Sequence, residues 1–555
     1  MRISKVIRRF LCLFTVVLLT VSSLSGCGDS SKGKSPAASE ETEDKALDTS
    51  RFLVAVEDEP DTVDFQCTSI HYTVAQNVFN RLVEMTSDEE GNAEIQPSLA
   101  RSVDMSDDGR SYTFHLREGV TFSNGSPLTS SDVLYTFTRL LTHPDSCNRD
   151  IAEEIAGADR LEQGETDELE GFRIINDTDF VITLAQPFEA FLACLSMPGA
   201  SILDQETTEA AGDRFGKEPD YTIGTGPFIL REWNPGEGML LTANPDCFDG
   251  APACEGLDLR FMTEAEAERS MFENGELDIL DLDEMGDLAE YFIHGDIYQD
   301  RLHQVQPIGL NYIALNESIE PLNDVKVRKA LQLGLNRNAL LDAVYSGRGS
   351  LENGIFSHGL KGFNPELDEI PYDPEQAKEL LKEAGYPQGF DLVISVKSSS
   401  TQWELILVNN AVAMWKKLGI NASVKVISED EFMSLRKSGQ LACYTATWTA
   451  DYSDPDNFIY TFFGNPENTR FRSLCYPNEK IMDRVTKARG ITDDSKRIKE
   501  YQELEKIIVQ EDAAWIPLFS RIRYYVTGEN IEGFKAAWNG SVKANYRYMS
   551  RKDPD

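Results

Sequence analysis

"NYIALNESIEPLNDVKVRKALQLGL", residues 311–335, sets the fold class. "NYIALN" is a short apolar run of strand length. A turn containing Pro321 follows, and then Asp324 stands ahead of Val327, Leu331 and Leu335, which share one face of a helix. Strand and helix alternate from here onward. "DPEQAKELLKEAG" opens on Asp373 and Pro374 and closes on Gly385, the Pro-in, Gly-out asymmetry of helices. "FDLVISV", the helix "TQWELILVNNAVAMWKKLG", "ASVKVI", another helix and "LACYTATW" continue the alternation. A last helix covers "RIKEYQELEKIIVQ", and "WIPLFSRIRYYVTG" turns strand-like again. This rhythm is that of an α/β domain.

Upstream the pattern is more mixed. "RFLVAV" (51–56) is a strand, and "TVAQNVFNRLVEM" has helical spacing at Val74, Val78 and Leu82. "SYTFHLREGV" alternates Tyr112, Phe114 and Leu116 as a half-buried strand. "PLTSSDVLYTFTRLL" opens on Thr129-x-x-Asp132, close to a capping box, with an apolar stripe of Val133, Phe137, Leu140 and Leu141. "FVITL" (180–184) and "GPFILREW" (226–233) are further strands. A chain of this length exceeds one hydrophobic core, so two or three subdomains are expected.

The first residues read as a secretory leader. Arg2, Lys5, Arg8 and Arg9 precede the apolar run "FLCLFTVVLLTV" and the small residues "SSLSGC". The run is shorter than the ~20 residues of a membrane span. "LSGC" resembles the lipobox of bacterial lipoproteins, which implies lipid modification of Cys27. The polar stretch that follows lacks the apolar residues needed to repay ordering and is expected to be a tether. Without the leader the formal charge goes from -40 to -44, which argues against nucleic-acid partners, since these need a basic face.

Beyond Cys12 and Cys27, seven cysteines remain, an odd number, so not all can pair within the chain. Cys247 and Cys254 are close enough in sequence to be a candidate disulfide. No zinc spacing, HExxH, P-loop, GxGxxG or GxSxG is present, so no cofactor, metal or catalytic residue is assigned.

Several blocks taken in order resemble the family 5 solute-binding proteins of bacterial ABC transporters, the peptide, dipeptide and nickel binders. They are "LARSVDMSDDGRSYTFHLREGVTFSNGSPLTSSDVLYTFTRL" (99–140), "IGTGPFIL" (223–230), "YIALNESIEPLNDVKVRKALQLGLNRNALLDAVYSG" (312–347) and "YDPEQAKELLKEAGYPQGFDL" (372–392). Two departures are Cys247 in "NPDCFDG", where Tyr is common, and "SNG" where "HDG" is usual. The resemblance implies a two-lobed, periplasmic-binding-protein-like α/β fold of class II, a hinged clamshell with an extra subdomain. The expected division is a leader at 1–26, a tether at 27–50 and a first lobe at 51–310 with an inserted subdomain at about 86–200. A second lobe at 311–515 and a return to the first at 516–555 complete it.

"WTADYSDPDNF" (448–458) carries the site that the resemblance implies. In peptide-binding members an aspartate in a W-x-x-D context pairs with the ligand's α-amino group, and Trp448-Thr449-Ala450-Asp451 matches it position by position. The bland alternative for Asp451 is a loop carboxylate capping a turn beside core aromatics. A buried ammonium needs such a partner, and Trp448 could supply a neighbouring apolar or cation–π wall, with Tyr452 beside it. Backbone near Thr449 to Asp451 and near Glu57, Asp58 and Glu59 would pair with an extended peptide. Lys397 and Arg348 are candidates for the ligand carboxylate; Trp403, Phe356 and Tyr444 are candidates for pocket walls. The resulting expectation is a monomeric, extracytoplasmic lipoprotein, anchored by lipid to the cell membrane. It would capture short peptides and deliver them to an ABC permease without chemistry of its own. The competing expectations are another solute (a nickel chelate or oligosaccharide), a peptide sensor uncoupled from transport, and a peptidase.

Overall fold

A computed structural model describes residues 50–552 except 57, 89–91, 284 and 287. The leader, Cys27 and nearly all of the tether lie outside the described residues, and none of the described helices is long and apolar enough to cross a membrane.

The strand Gly309–Leu315, which contains the start of the opening stretch, is buried at every position. It is a central strand of a six-stranded sheet ordered Gly349–Leu351, Trp515–Arg521, Gly309–Leu315, Cys443–Thr449, Asp391–Lys397 and Asn421–Ile427. Its side chains divide by the period of two: Leu310, Tyr312 and Ala314 enter one core, Ile313 and Leu315 the other. That explains the unbroken apolar run, because both faces are covered. On the second face lies the helix Val325–Leu333, whose Lys326 N–H donates to Asp324 Oδ1 at 2.8 Å. Trp415, fully buried, closes this core and donates its indole N–H to the Leu331 carbonyl at 2.9 Å.

A second, seven-stranded sheet forms the other lobe, ordered Leu302–Val305, Arg523–Thr527, Ile279–Asp281, Phe52–Val56, Gly256–Phe261, Gly238–Ala243 and Phe228–Asn234. The chain crosses between lobes twice, from Val305 to Gly309 and again at Ile522. The second crossing departs from the expected return at 516. Trp515–Arg521 stays in the second lobe's sheet, and only Arg523–Thr527 joins the first. "WIPLFSRIRYYVTG" reads as a single strand-like run because both halves are apolar and extended; the change of sheet leaves no mark on periodicity.

Between 82 and 202 a separate core surrounds a four-stranded antiparallel sheet and the helix Ser130–Thr142. That helix opens with the Thr129 N–H donating to Asp132 Oδ2 at 2.9 Å. One sequence expectation fails here. The helix beginning at Thr73 stops at Val78, and Val83–Ser87 is a strand paired with Ala93–Pro97. Val74 and Val78 do face a core at helical spacing, but cross-strand pairing takes over before Leu82. Cys247 and Cys254 remain separate thiols, the first pointing its Sγ at the Thr225 carbonyl and the second within the first lobe's core.

Candidate functional site

The Trp448-to-Asp451 segment runs off the end of Cys443–Thr449 at the seam between the lobes. Its approach to the neighbouring strand depends on Gly309, which pairs with Thr449; a Cβ there would meet the Trp448 carbonyl at 2.5 Å. The Ala450 N–H continues the ladder to the Ile308 carbonyl at 2.8 Å. Asp451 then leaves the sheet. Its N–H donates to Asn457 Oδ1 and its Oδ2 accepts from Asn457 Nδ2, both at 3.0 Å. Asn457 is buried and belongs to the helix Pro455–Phe463, capped by Asp454, so the turn that aims Asp451 is built locally.

Asp451 keeps solvent access at the wall of a crevice, yet protein crowds it enough for burial to dominate its titration. Burial pushes its carboxyl above the ordinary range, while the Asn457 hydrogen bond and the charge of Arg472 pull it back. Arg472 lies with its guanidinium 4.8 Å from the Trp448 ring and 5.1 Å from Phe462. Asp150, from the inserted subdomain, has its carboxyl raised by burial and then by the charge of Asp451. Tyr72, of the first lobe, also senses Asp451. Residues from three parts of the chain thus interact electrostatically with one carboxylate.

His71 and Thr73, on either side of Tyr72, line a cavity of about 750 Å³. This volume suits a small organic ligand. Its floor is the carboxyl ends of Phe52–Val56, Gly256–Phe261 and Ile279–Asp281, the usual ligand crevice of an open α/β sheet. The lining is mixed: Met239, Met262, Met285 and Tyr525 stand among charged Asp58, Glu268, Asp281, Arg523 and Lys543, and Thr401 enters from the second lobe. His71 has φ 60, a left-handed backbone that non-glycine residues seldom adopt.

The other expected residues divide. Trp448 is half-buried against Phe462, ring centroids 5.2 Å apart, and its indole nitrogen is buried without a hydrogen-bond partner. Thr449 is exposed and opens on a cavity of about 60 Å³ beside Arg521 and Arg523. Tyr452 is buried at 8% exposure inside the inserted subdomain's core, its hydroxyl on Asp456 Oδ2 at 3.3 Å, so it packs rather than faces a ligand. Glu57 lies outside the described residues. Asp58 lines the larger cavity, whereas Glu59 holds a hairpin turn, accepting from Trp233 Nε1 and Gly236 N at 2.8 Å each. Lys397 is paired with Glu429 at 3.4 Å. Arg348 is paired with Glu290 of the other lobe. Both cations therefore have an acidic partner in this structure. Trp403 packs at a tilt against Tyr345, ring centroids 5.9 Å apart, beside the second lobe's core. Phe356 and Tyr444 are each 1% exposed and belong to that lobe's other core.

The Phe356 backbone marks an unusual acid. Glu505, fully buried, accepts the N–H groups of Ile355 and Phe356 at 2.7 Å each, and burial pushes its carboxyl up to about 8. A raised acid binds its proton more tightly when folded, so stability falls as pH rises from the ordinary glutamate range toward 8. Glu505→Gln is expected to match wild type near pH 4.5 and to exceed it at pH 8 by on the order of 2 kcal/mol in urea unfolding. An unchanged difference across that window would contradict the assignment.

Sequence reading did not single out Asn457, Arg472, Asp150 or Tyr72. Asn457 stands six positions after Asp451 in the same quoted stretch; nothing in the sequence joins the other three to Asp451.

The model of the bacterial extracellular solute-binding proteins, family 5 Middle, matches residues 94–470. Heme-binding protein A of Haemophilus influenzae is 27% identical over 529 residues, covering 92% of this chain and 94% of that protein. The dipeptide-binding protein of Escherichia coli is 27% identical over 475 residues, covering 81% and 86%. Among solved structures, HbpA2 from Haemophilus parasuis has a TM-score of 0.74 at 27% identity, covering 90% of this chain and 100% of that one. The periplasmic binding protein DppA from Helicobacter pylori, solved with the peptide STSA, also gives 0.74, at 23% identity and 90% and 98% coverage. With more than half of its length matched and the two-lobed fold shared, this chain belongs to the bacterial extracellular solute-binding proteins of family 5.

Proposed function

We propose that this protein captures short peptides between its lobes, with Asp451 neutralising the peptide α-amino group, and passes them to an ABC permease. The carrying observation is the state of Asp451. One carboxylate oxygen is held by Asn457, and among the described residues no cation lies within 4.0 Å of it. A ligand ammonium completes that pair, and the loss of water on lobe closure strengthens it. Extended backbone at Thr449 and beside Asp58 supplies side-chain-independent contacts, which gives broad tolerance of sequence. The mixed, methionine-bearing cavity takes side chains of varied shape. We place Cys27 as the lipid anchor and the body on the outer face of the cell membrane. The dipeptide-binding relative supports this ligand class.

Calorimetry with the purified chain tests it. A free tripeptide is expected to bind, and its N-acetylated form to bind at least ~100-fold more weakly, about 3 kcal/mol. Equal binding of the two forms would remove Asp451 from the role. Mass spectrometry of denatured protein is expected to release intact peptides; porphyrin, nickel chelate or sugar in their place would overturn the ligand class.

A further inference from the structure

Two cysteines from distant parts of the chain, Cys67 and Cys147, both free thiols in this structure, lie on adjoining segments. The segment after the first strand and the turn after the helix Ser130–Thr142 are stitched together by their backbones. Cys147 N–H donates to the Gln66 carbonyl at 3.0 Å. Asn148 Nδ2 donates to the carbonyls of Phe65 and Thr68 at 2.8 Å each. Tyr72 Oη adds bonds to the Thr68 carbonyl at 2.8 Å and to Asn148 Oδ1 at 3.3 Å. Backbones bonded this way run about 5 Å apart, within the ~4.4–6.8 Å of Cα separation that a disulfide spans. Each sulfur has a contact beside the other cysteine's segment: Cys147 Sγ lies 3.7 Å from the Gln66 carbonyl, and Cys67 Sγ lies 3.4 Å from His143 Nδ1. Each thiol is close enough for the charge of Cys147 to act on Cys67.

From this geometry we infer that Cys67 and Cys147 form a disulfide joining the first lobe to the inserted subdomain. A family of extracellular proteins works where such bonds persist. The other described cysteines do not compete: Cys194, Cys247, Cys254 and Cys443 are buried elsewhere, and Cys475 contacts the Gly439 carbonyl.

The chemistry has a natural order. Cys147 is exposed, whereas Cys67 is half-buried and its thiol is pushed up to about 12 by burial and by Asp64. Cys147 as thiolate attacks a small-molecule disulfide, forming a mixed disulfide and expelling one thiolate. Cys67 then attacks the Cys147 sulfur and the second small thiolate leaves. His143 Nδ1, which also accepts the Asp145 N–H at 3.3 Å, is placed to take the Cys67 proton. Two protein thiols are oxidised, one external disulfide is reduced to two thiols, and their two protons pass to the leaving groups. The bond fixes the turn that carries Asp150, which interacts electrostatically with Asp451, and joins parts of the chain 80 positions apart.

The test uses the intact protein incubated with oxidised glutathione, alkylated with iodoacetamide and digested without reduction. The expected product is a Cys67 peptide linked to a Cys147 peptide, two hydrogens lighter than the pair unlinked, and absent after reduction. Cys254→Ser is expected to retain it and Cys147→Ser to leave Cys67 alkylated. Alkylation of both cysteines in the oxidised wild type would overturn the inference. So would glutathione on Cys147 alone, or a link from either cysteine to a different partner.

Discussion

Asp451→Asn is expected to abolish most of the thermal shift that free peptides produce, with affinity falling by roughly 100-fold or more. Removing one partner of a buried, hydrogen-bonded charge pair costs about 2–5 kcal/mol, much of it from the charge left behind. The substitution is nearly isosteric and Asn457 can still bond to it, so the empty protein is expected to fold. Its stability should rise slightly. A carboxyl raised by burial carries a penalty at every pH above its ordinary titration, and the amide removes that penalty. Gain of stability together with loss of binding is the signature of a group placed for a ligand. The pH dependence has a definite sign. Binding needs the carboxylate, so affinity declines on acidification, and the decline begins above the ~3.9 of an ordinary aspartate because burial raises this one. Titration calorimetry at several pH values checks both trends. A variant that binds as wild type would end the case.

Arg489→Met carries the second large effect. Arg489 sits at the junction of the second lobe with the inserted subdomain. Its Nη1 is 2.6 Å from Glu154 Oε1 across the seam, and its Nε is 3.1 Å from Asp456 Oδ1 on its own side. The guanidinium is also sandwiched, 4.2 Å from the Phe188 ring and 3.8 Å from that of Tyr460. Asp456 is 1% exposed, so deleting the cation strands a buried charge, which costs about 3–5 kcal/mol. The loss is expected in two readouts. Denaturant unfolding should show reduced stability, and peptide should dissociate ~10-fold or more faster, because the Glu154 contact spans the seam and holds it shut. Glu154→Gln breaks only the contact across the seam and is expected to alter dissociation with little change in unfolding. If Arg489→Met changes unfolding and leaves dissociation untouched, the residue is structural only.

These two residues differ in how far the sequence reveals them. Asp451 stands in a local block, W-x-x-D followed by a Pro-initiated helix, and each part is short-range chemistry. Arg489 stands at the end of the helix Glu479–Ala488 and reads as one more solvated base; its partners Glu154 and Phe188 lie more than three hundred positions upstream. The pairing of the candidate cations for the ligand carboxylate is equally invisible along the chain. Lys397 and Arg348 have the right charge, but Glu429 and Glu290 already hold them. Tyr452, next to the key aspartate, points away because the turn at Asp454 sends its ring into another core.

What the sequence determined by itself was whatever depends on neighbours along the chain. It fixed the alternation of strand and helix from 311 onward, caps such as Asp324 and Asp373, and the block that carries Asp451. These are set by periodicity and by backbone hydrogen bonds within a few residues. The tertiary structure alone decided where the chain changes lobe at Ile522, which cations are already paired, and that Asp451 interacts electrostatically with Asp150, Tyr72 and Arg472. Those outcomes depend on burial and Coulomb forces, which act through space and are indifferent to separation along the chain.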